Sequence, residues 1–161
     1  MNVYKMQELL NSRGVSSESI VQIAIENQKP YSKNLTAYDG YDALWEVLND
    51  EEVQNIVSTM LFLDEIFEDD NKVVNKYDEL RDKVRQDYGL YGIDELLAET
   101  ITEKYGPIAK TNYGYIDKTK PGVISELDAA GKETTEVVNT FVDDIVGALA
   151  ASVAAVIAHK K

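Results

Sequence analysis

Hydrophobic residues recur at three- and four-residue spacings along most of the chain, which is the pattern of amphipathic helices, and the alternation typical of strands is scarce. The pattern predicts a first helix from Val3 to near Gly14, a second that ends before Pro30, a third over residues 41–48 and a long fourth that continues through Ile66. The polar residues placed to cap the second and fourth helices are Ser16 or Ser17 and Asn49 or Asp50.

The second half of the chain has a different character. Residues 69–87 are highly charged and predict an exposed helix that links the two halves. A turn and a helix are expected over residues 89–105, whereas residues 106–122 are rich in Gly, Tyr, Lys and Thr and include a segment typical of a turn. Pro121 is placed to open a short further helix, and a polar connection over residues 131–135 should follow it.

The last predicted helix, over residues 136–159, is apolar on nearly all sides and is therefore expected to be surrounded by the others. Its charge-free part, residues 145–158, has 14 residues, whereas a membrane span needs about 20. We therefore predict an all-α protein with one domain over residues 1–161, a helical bundle with the apolar C-terminal helix at its centre.

Charge and composition narrow the classes of function. The formal net charge is −13, which argues against nucleic acid as a partner because nucleic-acid binding requires clustered Lys and Arg. The chain has no cysteine, which excludes disulfides and thiolate chemistry, and its single histidine, His159, lies near the C-terminal end. We expect a cytoplasmic protein without a transmembrane segment, with at most peripheral membrane contact, and homo-oligomerisation is left open.

Asp143 and Asp144 form the acidic pair with the most unusual neighbours, because they stand at the start of the most apolar helix. Two adjacent buried carboxylates cost several kcal/mol each unless a metal ion, a base or strong donors compensate them. The small residues one turn later, Gly147 and Ala148, would leave room for a ligand. The alternative is that both acids only complement the positive end of the helix.

Two further acidic segments precede this pair, and residues 89–147 contain all three. Asp94 and Glu95 begin a helix whose predicted inner face is centred on Ile93, Leu96, Leu97, Thr100 and Ile101; Asp94 falls at the edge of that face. In the other segment, Asp117 precedes Lys118 and Lys120. A carboxylate can hold a hard cation while a nearby lysine contacts phosphate oxygens.

These three segments resemble the motifs of the phosphatidylglycerophosphatase A-like family. The matching stretches are Ile93-Asp94-Glu95-Leu96, then Ile116-Asp117 with Lys120-Pro121, then Val142-Asp143-Asp144-Ile145-Val146. The likeness is greatest to the soluble Gram-positive branch, whose members include low-temperature-requirement protein C. An arginine of the membrane-bound members, shortly before the second aspartate, is replaced here by Gly114, and their glycine-rich stretch is replaced by residues 133–140.

The resemblance implies Mg²⁺-dependent hydrolysis of phosphatidylglycerophosphate to phosphatidylglycerol and phosphate. On this hypothesis Asp94, Asp117 and Asp144 bind Mg²⁺. Glu95 or Asp143 orients or deprotonates the attacking water, and an aspartyl-phosphate route is the other option. The substrate is a phosphorylated small molecule or a phospholipid head group, and the lysines that would contact its phosphate are Lys118 and Lys120.

Three alternatives remain at this stage. A phosphatase of this kind could act on a soluble phosphate ester, because a strongly acidic protein is not attracted to an anionic bilayer. A helical nucleoside triphosphate pyrophosphohydrolase is disfavoured, since Glu95, Glu99 and Glu103 are spaced by four rather than three residues. A non-catalytic helical binding protein could keep the acids for stability alone.

Overall fold

The computed structural model describes residues 1–134 and 136–161, and these residues form an all-α bundle without a strand. Its helices in chain order are α1 (Val3–Ser12), α2 (Ser17–Gln28), α3 (Ala37–Leu48), α4 (Glu51–Glu68), α5 (Asp78–Arg85), α6 (Ile93–Glu103), α7 (Gly106–Thr119), α8 (Val123–Glu133) and α9 (Val142–Lys160). The predicted fold class is confirmed.

The N-terminal helices begin at polar caps. Ser16 accepts a hydrogen bond from the amide of Ser19 at the start of α2, and Asp50 accepts two at the start of α4. Helix α3 begins at Ala37, four residues before the predicted start, because Thr36 and Asp39 form a reciprocal capping box. The prediction missed this signal because residues 37–40 add little to the apolar face.

The charged stretch of residues 69–87 does not form the single linking helix that was predicted. It contains a turn, a short 3₁₀ helix, Asn75–Tyr77, and the two-turn helix α5. Asp69 accepts the amide of Asn71 at 2.9 Å, a local bond that ends the preceding helix. The low apolar content of the stretch gives a longer helix no face to bury, since only Val84 of α5 is buried.

Residues 106–119 form helix α7, where the sequence was expected to contain a turn. The buried residues of α7 are Ala109, Tyr113 and Ile116, which recur at helical spacing among Gly, Thr and Lys. Tertiary burial of this narrow stripe outweighs the weak helix propensity of the intervening residues. The correction matters for function, since α7 carries Asp117 at its C-terminal end.

Helix α9 is the central element, as predicted, and packs against α2, α3, α6 and α7. By length and composition this helix could cross a membrane, but 89% of its apolar stretch of 18 residues is buried inside the bundle. The helix begins at Val142 rather than near residue 136, because the carboxylate of Asp64 in α4 accepts the amides of Phe141 and Val142. The segment before it is held by bonds from Thr140 to the Val84 carbonyl and from Val138 to Glu68.

Candidate active site

The N-terminal ends of α6 and α9 meet the C-terminal end of α7 and the loop after α5 around one cavity of about 250 Å³. The residues that line this cavity are Asp87, Tyr88, Gly89, Asp94, Glu95, Asp117, Lys120, Asp143 and Asp144. The fold therefore brings together six of the seven site residues singled out from the sequence motifs. The seventh, Lys118, is exposed and is not part of the lining.

The two acids of α9 are buried, with Asp143 only 4% and Asp144 only 5% exposed. Asp143 lies 3.3 Å from the Lys120 ammonium through Oδ2, and its Oδ1 accepts the amide of Asp144 at 2.9 Å. Lys120 also lies 3.4 Å from Oδ1 of Asp117, so this single ammonium bridges acids from α7 and α9. The Tyr113 hydroxyl donates to Oδ1 of Asp144 at 3.0 Å.

The electrostatics of the cavity raise the pKa values of Glu95, Asp143 and Asp144. Burial raises the pKa of Asp143, and the attraction of Lys120 opposes the increase without cancelling it. Burial and repulsion by Asp143 raise the pKa of Asp144. Burial alone would lower the pKa of Lys120, but the attraction of Asp143 and Asp117 outweighs burial and raises it, so the ammonium stays charged. Burial and repulsion by Asp117 and Asp94 raise the pKa of Glu95.

Helix α6 is oriented differently from the prediction. Asp94 is 7% exposed and faces inward with Ala98 and Ile101, whereas Ile93 and Leu96 face solvent. Gly92 precedes the first turn of α6 in the left-handed region, at φ +77°, a conformation that favours glycine. The positions of the apolar residues alone predicted an inner face that is rotated by one residue from the observed face, and so left Asp94 at its edge.

The space beside Gly147 is filled by Tyr113 rather than left for a ligand, which corrects the prediction made from the small residues of α9. A Cβ atom added at Gly147 would lie 3.3 Å from Cε2 of the Tyr113 ring. Gly147 therefore allows α7 and α9 to approach closely enough for the tyrosine hydroxyl to reach Asp144.

Two functional positions were missed from the sequence. Asp87 lines the cavity, adopts φ +49°, and has a pKa raised by burial and by the charge of Asp94. It stood at the end of a charged stretch interpreted as solvated, although the Tyr88-Gly89 turn that follows was a usable signal. Three carboxylate oxygens, one from each of Asp87, Asp128 and Asp143, lie within 4.8 Å of one another.

Asp64 is the second missed residue, and it lies at the start of α9, where it positions the segment that carries Asp143 and Asp144. It is fully buried between the inward-facing Leu61 and Phe67 of α4. An acid inside an apolar stripe was the signal, because such a residue requires donors from another element.

The residues around the cavity fit a hard divalent cation. Six carboxyl groups line it with one ammonium, and every carboxyl group offers the oxygen ligands that Mg²⁺ prefers. The predicted ligands Asp94, Asp117 and Asp144 all lie on this lining and come from three different helices.

The sequence model of the family described as Phosphatidylglycerophosphatase A matches residues 10–159. The chain belongs to this family. The phosphatidylglycerophosphatase A family relationship confirms the resemblance carried by the three acidic motifs, and it suggests a phosphatase-like role.

Two proteins of Bacillus subtilis are similar to this member of the phosphatidylglycerophosphatase A family. YpjQ is 41% identical over 95% of this chain and 82% of its own length, and YutG is 39% identical over 97% and 90%; both are named as uncharacterized proteins. The low temperature requirement C protein from Listeria monocytogenes has a crystal structure with a TM-score of 0.88 and 39% identity, covering 98% of this chain and 95% of that one.

Proposed function

We propose that this protein is a Mg²⁺-dependent phosphomonoester hydrolase that converts phosphatidylglycerophosphate to phosphatidylglycerol and phosphate. The observation that carries the proposal is the convergence of six carboxylates and Lys120 on one small cavity. Family membership supports the same reaction class. A stability role alone does not account for the cavity, because buried acids without a ligand raise the free energy of the folded state.

Each lining residue has a role that follows from its position. Asp94, Asp117 and Asp144, with Asp87 and Asp143 beside them, would hold Mg²⁺. When bound, Mg²⁺ supplies positive charge to the phosphate oxygens and lowers the pKa of coordinated water. Lys120 stays protonated between Asp117 and Asp143, so its ammonium is available to the phosphate oxygens.

Glu95 serves as the base, because it lines the cavity beside the predicted metal ligands. Its pKa is raised, so its carboxylate accepts a proton more readily than an ordinary surface glutamate. A water oxygen bonds to phosphorus while the bond from phosphorus to the glycerol oxygen breaks. The departing glycerol oxygen takes a proton from solvent, and the proton that Glu95 took from the attacking water passes to solvent, which leaves the carboxylate ready for another cycle.

Tyr113 acts as a positioning residue in this scheme. Its hydroxyl donates to Asp144, and burial, reinforced by the charge of Asp144, raises the pKa of the phenol, so it remains a donor at neutral pH. The bond fixes one oxygen of Asp144 and leaves the other free for a cation.

Phosphate release with and without Mg²⁺ tests the proposal. The substrates are phosphatidylglycerophosphate in detergent micelles and a water-soluble phosphomonoester such as glycerol phosphate. Asp144→Asn and Asp117→Asn should each reduce Mg²⁺-dependent release at least about a hundredfold, the usual scale for a catalytic electrostatic group. The matched control is Asp42→Asn, an exposed acid of α3 whose partner is Lys160, and it should behave as the natural protein.

The substrate arms separate two readings of the same site. Release from the lipid alone supports the full proposal, whereas release from soluble esters alone replaces the lipid with a soluble substrate. Full activity in Asp144→Asn, or activity that is indifferent to a chelator, would overturn the metal-dependent mechanism.

A further inference from the structure

The exposed side of α6 and the loop before it carries an apolar surface that the bundle does not cover. We define this α6 apolar face by Tyr88, Leu90, Ile93 and Leu96. Leu90 is 82% exposed, Leu96 54% and Ile93 43%. Contiguous exposed apolar residues mark contact sites more often than scattered ones do.

The α6 apolar face is continuous with the mouth of the cavity. Tyr88 belongs to both, since it lines the cavity and is also half exposed to solvent. Asp94 and Glu95, which line the cavity, stand between Ile93 and Leu96 in the first turn of α6. The same turn therefore presents acids to the cavity and apolar side chains to the outside.

The cavity is too small to hold a whole phospholipid. Its volume is about 250 Å³, which lies below the ~300–1,000 Å³ typical of pockets that enclose drug-sized ligands. A phosphoglycerol head group fits such a space, but the acyl chains of the substrate must stay outside it. The surface beside the mouth must then meet the lipid from which the head group projects.

We propose that the α6 apolar face docks on a phospholipid bilayer and inserts Leu90 and Leu96 among the lipid chains while the head group enters the cavity. The proposal rests on the lipid substrate of the proposed function. It also accounts for how a protein with a net charge of −13 approaches lipid, since apolar insertion does not depend on attraction to anionic head groups.

A second copy of this chain is the less favourable occupant of the face. A two-fold symmetric contact through the α6 apolar face would place the same patch of both copies together. The two acidic cavities, each open beside that patch, would then face one another, and the like charges would repel. A bilayer with bound Mg²⁺ carries no comparable fixed negative cluster.

Vesicle flotation tests the docking without requiring catalysis. The full chain is mixed with vesicles of phosphatidylcholine and phosphatidylglycerol in the presence of Mg²⁺. The double variant Leu90→Ser, Leu96→Ser should float at least about tenfold less, because each leucine that leaves the lipid loses its transfer free energy. Both residues are exposed and lie outside the cavity lining, so the fold is retained.

The matched control replaces two equally exposed aromatic residues, Tyr31→Ser and Tyr38→Ser, which are 79% and 77% exposed. Tyr38 adjoins Asp39, which pairs with Lys161 at 3.3 Å, so the control lies at the C-terminal end of α9. A helix of 19 residues spans about 28 Å, which separates the control from the cavity. This variant should float as the natural protein does.

The outcomes separate this inference from the proposed function. Loss of flotation in the leucine variant with unchanged hydrolysis of a soluble ester supports docking, and Asp144→Asn should float normally. If no substrate is hydrolysed but flotation still depends on Leu90 and Leu96, the reaction fails and the docking surface stands. Flotation that is unaffected by the leucine variant, or light scattering that shows a dimer which the variant dissociates, overturns the inference.

Discussion

Replacing Asp64 with Ala should destabilise the fold more than any comparable change at a surface acid. Asp64 accepts the amide of Phe141 through both carboxylate oxygens, at 3.0 and 3.1 Å, and the amide of Val142 at 2.9 Å. All three residues are buried. Alanine therefore leaves two amides at the start of α9 without acceptors and with no access to bulk water.

The magnitude follows from those two amides. Each buried donor left unsatisfied costs about 1–3 kcal/mol. Part of this cost is offset, because burial raises the pKa of Asp64 well above its usual value and the substitution removes a poorly solvated acid. We expect the free energy of unfolding to fall by about 2–4 kcal/mol, within the ~5–15 kcal/mol available to a typical domain.

Urea unfolding followed by circular dichroism measures this change. With a urea dependence of about 2 kcal/mol per molar, the midpoint should move down by roughly 1–2 M. Asp64→Asn is the matched comparison, since it keeps one oxygen acceptor, and it should lose no more than half as much. An Asp64→Ala protein whose midpoint stays within experimental error of the natural one would refute the capping role assigned to Asp64.

Three further predictions concern the acids of α9. Gly147→Ala should displace the Tyr113 ring by a few tenths of an ångström and weaken its hydrogen bond to Asp144. Mg²⁺ affinity measured by calorimetry should then fall, with only a small change in the midpoint of urea unfolding. An unchanged affinity would contradict the role of the tyrosine. Because the pKa values of Asp143 and Asp144 are raised, Mg²⁺ affinity should increase with pH and binding should release protons, which calorimetry in two buffers of different ionisation enthalpy counts. In the metal-free protein the same two groups stabilise the fold most below their unfolded-state pKa, near 4, and this contribution is lost as pH rises through the folded-state values.

Most of the fold could be predicted from the sequence because most helices carry a wide apolar face. The central position of α9 followed from residues that are apolar on every side, and the structure buries it from Val142 to Ile157. Helix α7 could not be predicted from pattern, since its buried stripe is only Ala109, Tyr113 and Ile116. Its helical state depends on contact with α9, and the sequence of residues 106–119 by itself carries no information about that contact.

The candidate site was predictable where an acid stood in an apolar setting. Asp94 and the pair of α9 were found in that way, Asp117 was found from the lysines that follow it, and family motifs ordered them. Asp87 was not, because it ends a charged stretch interpreted as solvated and reaches the cavity only through the loop after α5. The bond from Tyr113 to Asp144 was also beyond the pattern, as it joins residues 31 apart in sequence.

The central position of α9 also determines when the protein can fold during synthesis. Every long helix that packs on α9 is made before it, so α2, α3, α6 and α7 leave the ribosome with their inner faces uncovered. Domains usually fold as units once their chain has emerged. Here the unit is completed only when residues 142–160 appear, so the nascent chain carries exposed apolar surface until then. Chaperones that bind such surface are therefore expected to hold this chain until α9 is released.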